Sequence, residues 1–445
     1  MVDKPIADFK EGIANASPER FCAFLRQRYP NDVNFVHFDT ISDFVCGTTQ
    51  SLPSDMYINA NDTSFVSLMN RTVAGQLADA EALPRRIIQI GPELDFLEDT
   101  CTPDRLSALQ VCSMAMQYRR VPREKVAVVL MARDEGIYLP EWLAHYRLIG
   151  AEHIFVYTND NTDGSDALLH QLAAEGSITV IENSFAQGIN PQKKGYQHAI
   201  MLLEELRDYR WALFVDADEF LTFRTEAGGG LVALIDQVER EFQGNLPGAV
   251  VFPWNWRFTD RAFAREDISV LRHYSHASIQ RLVKPLINLK ATLAMCQVHI
   301  PTLDEDSFFV DGDMRPIIGE AVWEGVQLPY SGPAIDHFWS KSFVEFLIKK
   351  RRGEHLALAE QQFLRDYFQF FAWTSPWTDA NYDPISEAWI MKIEETTKEI
   401  LSNPFVAEAY RATVSRYRDY VAEASADEAI QKTYNDLLQS TQMAM

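Results

Sequence analysis

WALFVDADEFLTF, residues 211–223, is the stretch on which the reading of the whole chain turns. Five apolar residues, Trp211 to Val215, lead into Asp216-Ala217-Asp218. A short, uninterrupted apolar run is the pattern of a strand buried on both faces, as in a parallel sheet. Residues two apart on a strand point the same way. A chain still extended at that point aims the Asp216 and Asp218 carboxylates into one small volume. Two carboxylates so close raise each other's pKa unless a cation lies between them. A hard divalent ion, Mn²⁺ or Mg²⁺, completed by substrate phosphates, is the natural occupant. A solvated or helix-capping acidic turn has the same letters, so the neighbouring segments must decide.

Upstream, strand and helix patterns alternate. VAVVLMA (126–132) reads as a strand. Leu139, Trp142, Leu143 and Tyr146 then recur at helical spacing, with Pro140 tolerable in the first turn and Gly150 as the stop. HIFVY (153–157) and SITVIEN (177–183) are strands, followed by helices over about 166–175 and about 192–207. This alternation predicts right-handed βαβ crossovers and a parallel sheet. In open sheets of that kind the ligand lies beyond the carboxyl ends of the strands. The loops Arg133-Asp134-Glu135, Thr158 to Ser165 and Asp216 to Asp218 therefore converge, which predicts a nucleotide-like ligand with a metal at its far end. No GxGxxG follows the first strand, which argues against a dinucleotide dehydrogenase, and the absence of GxxxxGK[ST] excludes a P-loop. Phe220 stands where haloacid-dehalogenase phosphatases usually carry a small hydroxyl or Val, which ranks that class well behind.

The 445 residues, 47% of them hydrophobic, suffice for two or three domains. With 41 basic and 63 acidic residues the net charge is −22, which argues against a nucleic-acid partner and against simple docking to anionic lipid. Neither a signal peptide nor a transmembrane segment is expected. The five scattered cysteines form no CxxC pair and read as reduced thiols of a cytoplasmic protein, peripheral at the membrane at most.

Three regions follow. Residues 1–120 form a small α/β addition of unreadable role, with helices at Phe21–Tyr29 and Leu106–Tyr118 and strands at Val33–Phe38 and Arg85–Gly91. Residues 121–353 hold the α/β core. Residues 354–445 are a helical subdomain, broken by the aromatic stretch Tyr367 to Trp377, that packs on the core or forms a homo-oligomer contact. Within the core, GAVVFPWNWRF (248–258) is a strand whose Trp254 and Trp256 share a face, suited to sugar stacking or to core packing. The acidic loop Pro301 to Pro316 is a lid or a surface insertion. The helix from Phe343 carries KKRR (349–352), a solvated helix end or a seat for phosphate.

Taken in order, these blocks resemble the GT-A glycosyltransferases, most of all the bacterial family 2-like group and the family 92-type enzymes. The resemblance rests on MARDE (131–135), PEWLAHYRLIG (140–150), YTNDNTDGS (157–165), QKKGYQHA (192–199), DADEF (216–220) and HFWSKSFVEFLIKKRRG (337–353). It implies a Rossmann-like nucleotide-diphospho-sugar transferase core. It also implies that Arg133 and Glu135 line the nucleotide pocket and that Asn159, Asp160 and Asp163 face base and ribose. Asp218, with Asp216 nearby, would hold the metal on the donor diphosphate. His337 would complete the metal shell or approach the diphosphate, and Lys341 would contact phosphate. Asp134, Thr158 and Gln197 depart from the Asn, Asp and Asn usual there. Asp163 equally suits a helix N-cap, and Tyr196 and His198 suit packing. Lys193 and Lys194 read as solvated, with Lys193 counted among the donor contacts.

The function expected is metal-dependent hexosyl transfer from a nucleotide-sugar donor, a UDP-sugar first, to a glycan, lipid-linked or protein acceptor. The metal acts as a Lewis acid on the leaving diphosphate. An inverting reaction needs a carboxylate base, for which Asp260, Glu219 and Asp336 are candidates in that order. Two alternatives are a sugar-nucleotide nucleotidyltransferase and a non-catalytic nucleotide-sugar-binding protein. MARDEG lacks the Gly-rich basic triphosphate loop of the first, and both acidic residues of the Asp-x-Asp pair argue against the second.

Overall fold

The computed structural model describes residues 16–28, 38–46, 86–99, 108–223, 229–266, 269–304, 306–317, 330–351 and 382–442. The sequence-predicted strand Val33–Phe38 lies almost wholly outside them, and the aromatic stretch Tyr367–Trp377 entirely so. The chain begins with α1 (Pro18–Arg28), α2 (Phe38–Val45), β1 (Ile87–Ile90) and α3 (Ala108–Arg119). The alternating part is β2 (Glu124–Ala132), α4 (Leu139–Leu148), β3 (His153–Thr158), α5 (Ser165–Ala174), β4 (Thr179–Asn183), α6 (Pro191–Met201), β5 (Tyr209–Asp216), β6 (Glu219–Thr222) and α7 (Leu231–Glu241). Then come β7 (Ala249–Arg257), α8 (Val270–His273), β8 (Ala277–Asn288), β9 (Thr292–Gln297), β10 (Ile300–Leu303), β11 (Phe309–Asp311) and β12 (Ala334–His337). Four helices follow: α9 (Phe343–Arg351), α10 (Glu387–Ile400), α11 (Pro404–Ala426) and α12 (Glu428–Gln442).

Ten strands form one large sheet in the order β1-β4-β3-β2-β5-β8-β7-β12-β6, with β11 also on β7, and β9 and β10 form a separate two-stranded sheet. The half from β1 to β5 is wholly parallel, as the alternation predicts. Strand β8 runs antiparallel between β5 and β7, and β12 is parallel to β7 but antiparallel to β6. Alternate residues of β2 feed two apolar layers, which is why the strand reads as one continuous apolar run. Val126, Val128 and Leu130 face α4, α5, α7, α10 and α11. Ala127 and Val129 face α1, α2, α3 and α6. The result is a three-layer α/β/α arrangement.

The N-terminal region is built into this arrangement. Strand β1 pairs with β4 at the sheet edge, and α1 to α3 cover one face. The C-terminal helices cover the other, with Trp389 of α10 donating to His145 Nδ1 at 3.4 Å and Tyr410 of α11 donating to the Ile137 carbonyl at 3.1 Å. One expectation is corrected. The predicted helix over 192–207 ends at Met201, because Leu202 and Leu203 turn into the apolar layer. Within 301–316, β10 pairs with β9, and β11 adds to β7.

The buried His145 leads to an expected acid sensitivity. His145 lies within 2.9 Å of the Leu221 carbonyl through Nε2, and burial pushes its pKa down to about 4. A depressed histidine pKa supplies stability that is present above the unfolded value of about 6.5 and is lost as pH falls through the folded one. The stability advantage of wild type over His145→Gln should therefore shrink between pH 7 and pH 4.5 in urea denaturation; an unchanged gap would contradict it.

Candidate active site

Strand β5 delivers Asp216 to the carboxyl edge, but the strand stops there. Ala217 and Asp218 form the turn into β6, so the two-residue alternation no longer applies and the two carboxylates diverge. Asp216 Oδ2 pairs with Lys284 Nζ at 2.6 Å, while Oδ1 accepts from Gln192 at 2.8 Å and Tyr196 at 3.4 Å. Asp218 is buried and turns the other way. Its Oδ2 is bonded by Lys349 Nζ and lies 3.6 Å from His337 Nε2 and 3.9 Å from Lys341 Nζ.

Burial works to raise the Asp218 pKa, but Lys349, His337 and Lys341 outweigh it and hold the carboxyl well below the usual range. Glu219 shares Lys284 at 3.2 Å and accepts from the Asp216 backbone N–H at 2.9 Å. Burial, and then the charges of Asp216 and Asp218, push its pKa up to about 8 despite Lys284. Lys284, fully buried in β8, is held well above its ordinary value by Asp216 and Glu219 against the cost of burial.

The loops after β2 and β3 are stitched together. Asp134, at a left-handed φ of 51°, accepts from the backbone N–H groups of Thr162 and Asp163. Its own N–H donates to Asn161 Oδ1 at 2.8 Å. Asp163 accepts from Gly136 N–H at 2.8 Å and Ser165 N–H at 2.9 Å, and so pins the start of α5. The N-cap is Gly164, so Asp163 acts from the residue before it rather than as the N-cap its sequence position allowed. Asp163→Ala removes a carboxylate that accepts two backbone N–H bonds and should cost about 1–3 kcal/mol with little change in the sheet; a loss below a few tenths in denaturant titration would contradict the role.

One cleft opens beside these loops. Its lining includes Asp134, Glu135, Tyr138, Asp163, Lys341, Glu345 and Lys349, with Arg416, Tyr417 and Tyr420 of α11 as the far wall. Arg416 ties that wall to the β3 loop by donating to the Thr162 carbonyl at 2.8 Å. Lys341, at φ 51°, sits over the Tyr138 ring at 4.2 Å. Tyr138 in turn donates to Glu345 at 2.6 Å.

Of the nucleotide contacts named from sequence, Glu135, Asp163 and Lys341 line this cleft, whereas Arg133, Asn159, Asp160 and Lys193 do not. Asn159 donates to its neighbour Asp160 at 3.3 Å, and Asp160 is exposed. Lys194, expected to be solvated, is instead buried, donating to the Gly91 and Ser184 carbonyls and to Asp95. Trp254 is buried against the His337 ring at 4.2 Å, so it packs rather than offering an open face. His198 is also in packing, bonded to Tyr157 at 2.8 Å.

Among the candidate bases, Asp336 is buried, held by Arg257 at 2.8 Å and Asn255 at 2.6 Å. Glu219 is buried as well. Asp260 reaches solvent beside Arg265 and accepts from Ala262 N–H at 3.1 Å.

Sequence reasoning gave no role to Lys284 and Glu345 and left Lys349 inside the KKRR run. A lysine amid the apolar LVKPLI of residues 282–287 was the one local signal for Lys284.

The expected Mn²⁺ or Mg²⁺ site formed by Asp216, Asp218 and His337 does not fit this arrangement. The two carboxylates face different ammonium groups, and among the described residues no three His, Cys, Asp or Glu side chains converge to hold a metal ion.

Fold and cleft together define an α/β protein with a cleft beyond the carboxyl ends of parallel strands, the place where such sheets take nucleotides. Residues 133–306 match the family model described as Glycosyltransferase family 92. A family 92 protein of Arabidopsis thaliana is 27% identical over 109 residues, covering 24% of this chain and 18% of that protein. One of Oryza sativa subsp. japonica is 28% identical over 98 residues, 22% of this chain and 16% of that protein. The chain thus matches under a fifth of the length of these curated relatives. Among solved structures, S. aureus TarS aligns with a TM-score of 0.25 at 11% identity, over 67% of this chain and 55% of that one. Among the described residues no helix is long and apolar enough to cross a membrane.

Proposed function

We propose that the protein transfers a sugar from a nucleotide-diphosphate donor, a UDP-sugar in the first instance, to a hydroxyl of a glycan, lipid-linked or protein acceptor. One observation carries the reading: the loops after β2 and β3 and the segment after β12 meet at a single cleft on the carboxyl edge, with two ammonium groups in its wall. A diphosphate is the ligand portion that such cations recognise. The family 92 match over 133–306 supports the same chemistry.

In the transfer, the acceptor oxygen bonds to the anomeric carbon. The bond from that carbon to the diphosphate breaks, and its electron pair stays on the departing phosphate oxygen. The acceptor's proton passes to a base, a role we assign to Asp260, since Glu219 and Asp336 are sealed from any acceptor. Holding the two reactants in line supplies much of the acceleration.

A melting-temperature panel of UDP, GDP, ADP and CDP, each in EDTA and in Mn²⁺, tests the reading. A ligand at a hundred times its Kd stabilises by about 2.7 kcal/mol, a shift of a few degrees. One nucleoside diphosphate should give it, and its hexose conjugates should then be turned over. No shift with any nucleotide would sink the proposal.

A further inference from the structure

We infer that the ammonium groups of Lys341 and Lys349 take the place of a divalent cation at the donor diphosphate, so that donor binding and transfer proceed without metal. The inference rests on the glycosyltransferase reading. Both lysines are buried, both line the cleft, and both converge on one carboxylate oxygen, Asp218 Oδ2. Three acidic groups on this edge, Asp216, Asp218 and Glu219, meet three buried ammonium groups, Lys284, Lys341 and Lys349. Asp216 and Asp218 each already carry a buried ammonium partner, and burying a further divalent charge beside them would be costly. A metal binding Asp218 Oδ2 would have to displace Lys349.

His337 points the same way. Its Nδ1 is buried with no hydrogen-bond partner among the described residues, while Nε2 faces Asp218 at 3.6 Å. That nitrogen is thus left without a hydrogen-bond partner beside the Asp218 cluster. When the bond to the sugar breaks, the electron pair remains on the phosphate oxygen, and the two ammonium groups meet that charge from fixed positions. Preset charges of this kind need little rearrangement as the reaction proceeds. In this scheme Asp218 is a positioning residue that holds the lysines, not a metal ligand.

The test titrates UDP and GDP calorimetrically into the full chain, once with EDTA and once with excess Mn²⁺. One of them should bind in EDTA within about threefold of its affinity in Mn²⁺. Lys349→Met and Lys341→Met should each weaken it at least tenfold, and Lys349→Arg, which keeps the charge, should recover most of the loss. Circular dichroism and cooperative melting identify variants that fold, and Lys341→Met stands in if Lys349→Met does not. Binding that appears only with Mn²⁺, or folded Met variants that bind as wild type does, would overturn the inference while leaving the glycosyltransferase reading intact. Failure of both nucleotides in both conditions overturns the inference and removes its foundation as well.

Discussion

Asp218→Ala is expected to cost the fold about 3–5 kcal/mol, the range for removing one partner of a buried ion pair. The variant removes Asp218 Oδ2, the carboxylate oxygen that both buried lysines approach. Wild-type Asp218 is held well below the usual carboxylate range, so its contribution is present above about pH 4 and is lost only in stronger acid. The cost should therefore be the same at pH 6 and pH 8. The double variant Asp218→Ala/Lys349→Met should recover a large part of it, since an apolar replacement of a buried pair is often nearly neutral. Urea denaturation of the two singles and the double gives the coupling. A coupling below about 0.5 kcal/mol would show that the pair is not a unit.

Lys284→Met should be damaging to a similar degree, about 3–5 kcal/mol, for the opposite reason. It takes the cation from Asp216 Oδ2 and leaves Glu219 fully buried beside it, with Oε1 already lacking a hydrogen-bond partner. Asp216→Asn, added to Lys284→Met, should restore part of the loss, because Asp216 makes the shorter contact with Lys284 at 2.6 Å, whereas Glu219→Gln should restore less, because a carboxyl pushed up to about 8 is already largely protonated at neutral pH. Equal rescue by both, measured in denaturant, would contradict Asp216 as the group that Lys284 chiefly neutralises.

Much of the fold was legible because the parallel half of the sheet follows local rules. Strands β2 to β5 are apolar runs bounded by turn residues, and α4 and α5 show helical spacing, so each element can be found in a window of about ten residues. The convergence of the loops after β2 and β3 followed from strand direction alone. What stayed hidden depends on contacts between distant segments. Nothing near Asp218 in the sequence announces Lys349, because β12 and α9 reach the edge only through the pairing of β12 with β6 and β7. The metal expectation needed an extended chain through Asp218, and β5 ends two residues earlier. The wall supplied by α11 was equally unreadable, since Arg416, Tyr417 and Tyr420 lie on a helix whose pattern says only that one side is apolar.

The separation of Asp218 from Lys349, 131 residues along the chain, also bears on how the protein is made. A ribosome adding about 5–20 residues per second exposes the acidic turn roughly 7–26 s before it exposes the lysine that neutralises it. During that interval the central strands can pair, but the carboxyl edge remains an uncompensated acidic patch that water must solvate. The centre is thus sealed late in biosynthesis, and α11 closes over it later still. A nascent chain stalled between β8 and α9 would hold a nearly complete parallel sheet around an open, negatively charged rim.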